Sequence, residues 1–193
     1  MDSARARREL VRGLQLAASG EWGAIRAYLG HKASLPRGPD RQLIREILVD
    51  EIRHRRLVIE MLAGLGAGLD PRSERKLNAV GGLISALCAV GGWFLPMVGA
   101  ARLECDNIVE YEVLARFAHE AGLPALVAPL LHLAEVEWDH EERLRTCASS
   151  RFLWRFARIG WPVPPARASI RERFAEFLAH PTPVRRRKSF LVR

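Results

Sequence analysis

Little in this chain points to a secreted or disulfide-built protein. Cysteine is scarce: Cys88, Cys105 and Cys147 are odd in number and lack framework spacing, a usage expected in a reducing compartment, where each reads as a small core residue. The first eight residues carry charge but no apolar core segment, so no secretory leader is expected. Neither a Cys/His finger nor an aromatic ribonucleoprotein signature accompanies the basic balance, which argues against nucleic acid as a partner. Acidic residues are outnumbered, 22 against 30 Lys and Arg. The resulting net charge of +8 then favours an anionic membrane surface as the acidic partner. These features predict a cytoplasmic protein held peripherally on the inner face of a membrane. At 193 residues and 49% hydrophobic content, the chain can bury one sizeable core.

What is present is a repeated spacing. Glu51-Ile52-Arg53-His54 and Glu137-Trp138-Asp139-His140 are both Glu-x-x-His. On a helix, residues i and i+3 share a face, so each motif aims a carboxylate and an imidazole at one point. With 22 acidic residues and 6 His in 193 positions, chance supplies at most about 0.7 such spacing. Two copies on separate amphipathic helices therefore carry weight. Two Glu-x-x-His helices plus one Glu from each of two others line the interior of dinuclear carboxylate bundles.

The rest of the chain supplies those two glutamates. Residues 4–29 have helical periodicity, with Leu10, Leu14, Ala17, Ala18, Glu21, Ile25 and Tyr28 on one stripe. Gly30 and the following Pro/Gly-rich run predict its end, leaving His31 beyond it, and Ser19-Gly20 is a possible break. A second helix is expected from Asp40 to about residue 63. Its inner row is Leu43, Ile47, Glu51, His54, Val58 and Met61. A third, the longest, starts near Ser73 and is kinked by Pro96. No charge occurs between Leu77 and Ala101, a length that could span a bilayer. Its glycines, Pro96 and the acidic residues that follow favour instead a buried or half-inserted bundle helix whose apolar patch serves a lipidic substrate or a membrane. Its inner row continues through Met97, Ala100, Glu104, Ile108 and Tyr111. A fourth helix, near residues 124–148, points Val127, Leu130, Leu133, Glu137, His140 and Leu144 inward. Carboxylates on apolar rows are costly unless paired or metal-bound. The order is thus Glu, Glu-x-x-His, Glu, Glu-x-x-His.

The predicted fold is all-α: a four-helix bundle with a di-iron or di-manganese carboxylate interior over residues 1–150, and an amphipathic, basic C-terminal extension over 151–193. The extension holds a cationic aromatic run at 151–158, an extended Trp161-to-Pro165 segment, and a short helix near 168–179 with Ile170, Phe174, Phe177 and Leu178 on one side. It ends in a basic tail. Membrane attachment and simple packing of this extension are both open readings.

These residues resemble the ferritin-like demethoxyubiquinone hydroxylases, the di-iron enzymes of ubiquinone biosynthesis. Gly20-Glu21-Trp22-Gly23-Ala24 is similar to the family's Gly-Glu-x-Gly-Ala. The two Glu-x-x-His motifs match its second and fourth helices, and the Gly/Ala-rich approach to Glu104 and the Glu104-to-Tyr111 interval match its third. The resemblance spans about Gly20 to Cys147. It departs from the family at Glu110, where a His usually precedes the tyrosine, in the glycine-rich loop 64–70, and after Cys147.

The resemblance implies a ferritin-like four-helix di-iron bundle over residues 1–150, a metal-binding oxidoreductase with two iron ions. Its ligands would be Glu21, Glu51, His54, Glu104, Glu137 and His140, with Glu51 and Glu137 bridging and Glu21 and Glu104 terminal. Asp50, Asp106 and Asp139 are candidate acceptors for the outer imidazole N–H groups. Tyr111 is a candidate electron relay or a packed core tyrosine. The implied activity is O2-dependent monooxygenation of a polyprenylated quinone ring, with NADH as a candidate electron donor. The alternatives are an oxygenase for another apolar substrate, a ferritin-like iron-handling or peroxide-scavenging protein, and a membrane-associated interaction module without catalysis. Homo-oligomerisation is left open. His31 follows a helix end, His119 sits near another where a cation suits the helix dipole, and His132 and His180 lack partners at metal spacing, so none of the four is expected as a ligand; Trp22, Trp93 and Trp138 are candidates for a channel lining or the core.

Overall fold

The computed structural model describes residues 2–91, 94–159, 161 and 163–184. Trp93 and the basic tail at 185–193 lie outside the described residues. Among the described residues the structure is all-helical. The elements are α1 (Ser3–Ser34), α2 (Pro39–Gly64), α3 (Pro71–Val90), α4 (Phe94–Glu120), a 3-10 turn (Pro124–Leu126), α5 (Val127–Ser149), α6 (Trp154–Ala157) and α7 (Ser169–Ala179).

Local chemistry sets most boundaries. Asp2 caps α1 by accepting from the Ala4 N–H, and Asp70 caps α3 by accepting from Arg72 and Ser73, with Pro71 following. Gly66 (φ +67°) and Gly122 (φ +71°) take the left-handed conformation that closes α2 and α4. Beside them, the Ala67 and Leu123 N–H groups reach back to Leu62 and Ala118.

Two boundaries differ from the sequence-based expectation. First, α1 passes unbroken through Ser19-Gly20 and Gly30 to Ser34, which makes it the longest helix and puts His31 inside its last turn. Gly30 is a point of close approach rather than a stop: a Cβ there would fall 2.2 Å from Ser85 Oγ. Second, the expected third helix is two. Contacts of Gly23 with Leu77 and of Gly30 with Ser85 run in the same chain direction, so α3 lies parallel to α1. Tyr28 bonds Glu104 and Tyr111 bonds Glu21, so α4 runs antiparallel to α1. One helix cannot do both, and the uncharged stretch folds back as a hairpin. Pro96 lies in the first turn of α4, where its missing N–H costs no helical bond. Among the described residues no helix is long and apolar enough to cross a membrane.

Helices α1, α2, α4 and α5 share two hydrophobic clusters. One joins Leu10, Leu14, Val58, Met61, Tyr111, Leu114 and Leu130. The other joins Ile25, Tyr28, Ile44, Ile47, Met97 and Leu144. On every one of the four helices the expected metal residues fall between the two clusters. Helix α7 inserts Ile170, Phe174 and Phe177 into the first cluster, whereas Leu178 is exposed. The Trp161 indole N–H donates to Glu141 (2.8 Å) and Trp138 donates to the Pro165 carbonyl (2.8 Å), tying the extension to α5.

The α1–α3 seam can be tested with two alanines. At Gly81 an added Cβ would meet the Gly23 carbonyl oxygen at 2.3 Å and its Cα at 2.8 Å, while at Gly20 it would meet nothing within 4 Å. Gly81→Ala is expected to lower unfolding stability by about 1–3 kcal/mol. Gly20→Ala should raise it by about 0.5–1 kcal/mol. Denaturant midpoints of the two variants check the contrast.

Candidate metal centre

Each helix delivers its polar residues at intervals that keep them on its inner face. Glu21 follows Ala18 and precedes Ile25 on α1; Glu104 lies between Ala101 and Ile108 on α4. The Glu-x-x-His motifs sit between Leu48 and Val58 on α2 and between Ala134 and Leu144 on α5. All six residues are buried, Glu51 and Glu137 completely. The structure brings them together as two groups: Glu21, Glu51, His54 and Glu137, and Glu51, Glu104, Glu137 and His140. Within each group one ligand atom per residue lies within 4.8 Å of the others. The groups share Glu51 and Glu137, the residues expected as bridges.

The inner atoms are short of partners. His54 Nδ1 lies 3.0 Å from Glu137 Oε1, and His140 Nδ1 lies 3.3 Å from Glu51 Oε1 and 3.7 Å from Glu137 Oε2. Both oxygens of Glu51, one oxygen each of Glu21, Glu104 and Glu137, and His140 Nδ1 make no hydrogen bond. Buried polar atoms left this way are costly. The donor set fits two hard or borderline divalent cations such as iron or manganese. Four ionised carboxylates carry −4, which two divalent cations would neutralise.

Protein alone handles that charge by protonation. Burial, reinforced by neighbouring carboxylates, raises the pKa of Glu21 and raises Glu51 and Glu104 well above the carboxylate range. For Glu137, burial acts the same way, but the adjacent Glu104 and the two imidazoles outweigh it and hold its pKa well below. Burial opposes the charged form of both imidazoles, yet the acceptors Glu137 at His54 and Asp50 at His140 raise them. Of the three candidate outer acceptors, Asp50 is the one that faces one of the two imidazoles, at 3.5 Å from His140 Nε2. Asp139 instead pairs with Arg167 (2.8 Å), and Asp106 is exposed.

Sequence reasoning overlooked one residue. The Tyr111 hydroxyl donates to Glu21, and the Tyr28 hydroxyl likewise donates to Glu104. Burial and the nearby carboxylates raise both phenols well above their ordinary range, so each keeps its proton. The signal was available: Tyr28 follows Glu21 by seven residues, as Tyr111 follows Glu104. On antiparallel helices the two intervals cross, and each phenol meets the other helix's glutamate.

The two phenols have different surroundings. Tyr111 packs in the first hydrophobic cluster. Tyr28 and Glu104 border a cavity of about 540 Å³ between α1, α3 and α4, lined by Ala27, Ile84, Leu87 and Leu103 among others. Leu87 is half exposed at its margin. His31 also lines the cavity, and burial lowers its pKa to about 4. Of the other histidines and the tryptophans, His119 packs edge-on against Phe174 and Phe177, and Trp22 lies under the Arg55 guanidinium.

No protein-family model, curated protein or solved structure matches this chain.

A substitution separates metal holding from simple packing. Glu51→Leu puts an apolar side chain in place of a buried carboxyl whose oxygens make no hydrogen bond. It should stabilise the metal-free protein by about 1–3 kcal/mol and abolish the rise in melting temperature expected when the native sequence is given anaerobic Fe(II). A variant that keeps that rise shows that Glu51 holds no metal.

Proposed function

We propose that the protein is a ferritin-like four-helix di-iron protein, similar to the demethoxyubiquinone hydroxylases, that hydroxylates the ring of a polyprenylated quinone with O2. The observation that supports this reading is the pair of four-residue groups sharing Glu51 and Glu137, next to an apolar cavity that reaches Glu104. Two bound irons would supply O2 activation.

The chain's own residues have distinct tasks in this reading. Glu51 and Glu137 would hold both metals, Glu21 with His54 would complete one site, and Glu104 with His140 would complete the other. Asp50 orients His140 through Nε2. Tyr111 holds its proton on Glu21 and Tyr28 holds its proton on Glu104, which fixes the rotamers of both terminal carboxylates. The apolar walls exclude water from the side bearing Tyr28. Iron storage or peroxide scavenging needs no apolar chamber, so the cavity favours the oxygenase.

Membrane association belongs to the same proposal. Leu83 and Leu87 are exposed on α3, and Phe152, Leu153, Phe156 and Ile159 are exposed around α6. The Arg155 guanidinium lies 3.9 Å and 4.6 Å from the Phe152 and Phe156 ring centroids. This mixture of apolar and cationic groups fits an anionic lipid surface, next to which a polyprenyl substrate partitions.

Metal analysis is the first test. After anaerobic reconstitution the native protein should carry two irons per chain and Glu137→Ala fewer than one; an iron-free native protein sinks the assignment. Reconstituted protein given a short-tailed demethoxyquinone, O2 and a reductant coupled to NADH should form the ring-hydroxylated product. Tyr111→Phe should keep its iron and lose about tenfold in rate if the phenol serves turnover. Iron oxidation without hydroxylated product would favour the iron-handling alternative.

A further inference from the structure

The cavity between α1, α3 and α4 contains a polar group that the metal centre does not use. His31 is 2% exposed, lines the cavity, and its Nε2 has no hydrogen-bond partner. Most of the wall around it is apolar: Ala27, Ile84, Leu87 and Leu103. The Tyr28 hydroxyl, by contrast, is already committed to Glu104. On stability alone an apolar side chain would serve better than an unpartnered imidazole. The volume, about 540 Å³, is in the range of small-molecule sites, which are mostly apolar with a few placed polar groups.

We propose that this cavity binds an apolar molecule bearing a hydroxyl or carbonyl oxygen, and that His31 Nε2 recognises that oxygen. A neutral imidazole has one N–H and one lone pair, so it can accept from a hydroxyl or, in the other tautomer, donate to a carbonyl. The low pKa imposed by burial keeps the ring neutral at physiological pH. His31 lies one helical turn beyond Tyr28, about 4.5 Å further along the α1 axis. An oxygen held at His31 leaves the remainder of a ring to lie beside Tyr28 and Glu104. The residue is a positioning group: it sets which part of the ligand faces the centre and takes no part at the metals. The inference deepens the apolar-substrate reading and rests on it, but binding can be measured without iron.

The test uses the metal-free full-length chain with two probes, 4-hexylphenol and hexylbenzene, which differ by one hydroxyl. Isothermal titration should show the native protein binding 4-hexylphenol about tenfold more tightly. His31→Leu should weaken 4-hexylphenol binding about tenfold and leave hexylbenzene binding unchanged or tighter. His31→Gln, which keeps a donor and an acceptor, should retain much of the preference. Equal binding of the probes by the native protein, or an undiminished preference in His31→Leu, overturns the role of His31 while leaving the cavity as a ligand site. Binding of neither probe overturns the ligand site itself, and the iron stoichiometry of the centre stands apart from that result. Should His31→Leu fail to fold, 15N-histidine-labelled native protein decides: the His31 Nε2 resonance must shift with 4-hexylphenol and not with hexylbenzene, and an unmoved resonance refutes the proposal.

Discussion

Four carboxyl groups buried within reach of one another are the constraint to which the other parts of this structure answer. In a low-dielectric interior they cannot all be ionised without compensation. Two imidazoles supply part of it, one of them paired with Glu137 Oε1, two phenols cap one oxygen each on Glu21 and Glu104, and the other five carboxylate oxygens make no hydrogen bonds. The surrounding helices are organised so that this group is enclosed. The hydrophobic core is divided into a cluster on either side of it, and the same four helices contribute to both.

The buried Glu/His set has an approximate internal symmetry, since α1 and α4 each carry a Glu followed seven residues later by a Tyr, and α2 and α5 each carry Glu-x-x-His. The environment does not share it. On the Tyr111 side the core is packed, and α7 adds Ile170, Phe174 and Phe177 to it. On the Tyr28 side the tight α1–α3 seam lies beside an apolar chamber. A symmetric centre in asymmetric surroundings is approached differently from its two sides, and the cavity at Tyr28 and Glu104 is set by the placement of α3.

The parts visible in the sequence are those that depend on helix geometry alone. Glu-x-x-His places two side chains on one face wherever the helix lies, and Glu21 and Glu104 stand out because they interrupt apolar rows. The six residues could therefore be named before any tertiary structure was known. What could not be read depends on packing between helices. Gly30 has the chemistry of a helix end, yet it lies inside α1 because Ser85 needs its space. Pro96 in a long apolar stretch suggests a kink, while the packing of α3 and α4 against opposite directions of α1 requires a reversal. His31 took its place at the cavity wall only because α1 continues past Gly30. Tyr28 was on the expected stripe, but its partner is set by the antiparallel pairing of α1 with α4. The C-terminal helix had an evident apolar side, and whether that side meets protein or lipid is a tertiary matter; Ile170, Phe174 and Phe177 meet protein.

The chain contains two tyrosines, and both hydroxyls end on carboxylates of the centre. No phenol elsewhere contributes background. Any tyrosine-specific spectroscopic signal from this protein, whether a tyrosinate band, a hydroxyl-sensitive vibration or a phenoxyl resonance, has its origin within one side chain of the buried Glu/His cluster. The molecule thus carries its own pair of optical and magnetic probes, and they can be told apart: one borders an open chamber, and the other lies in packed core.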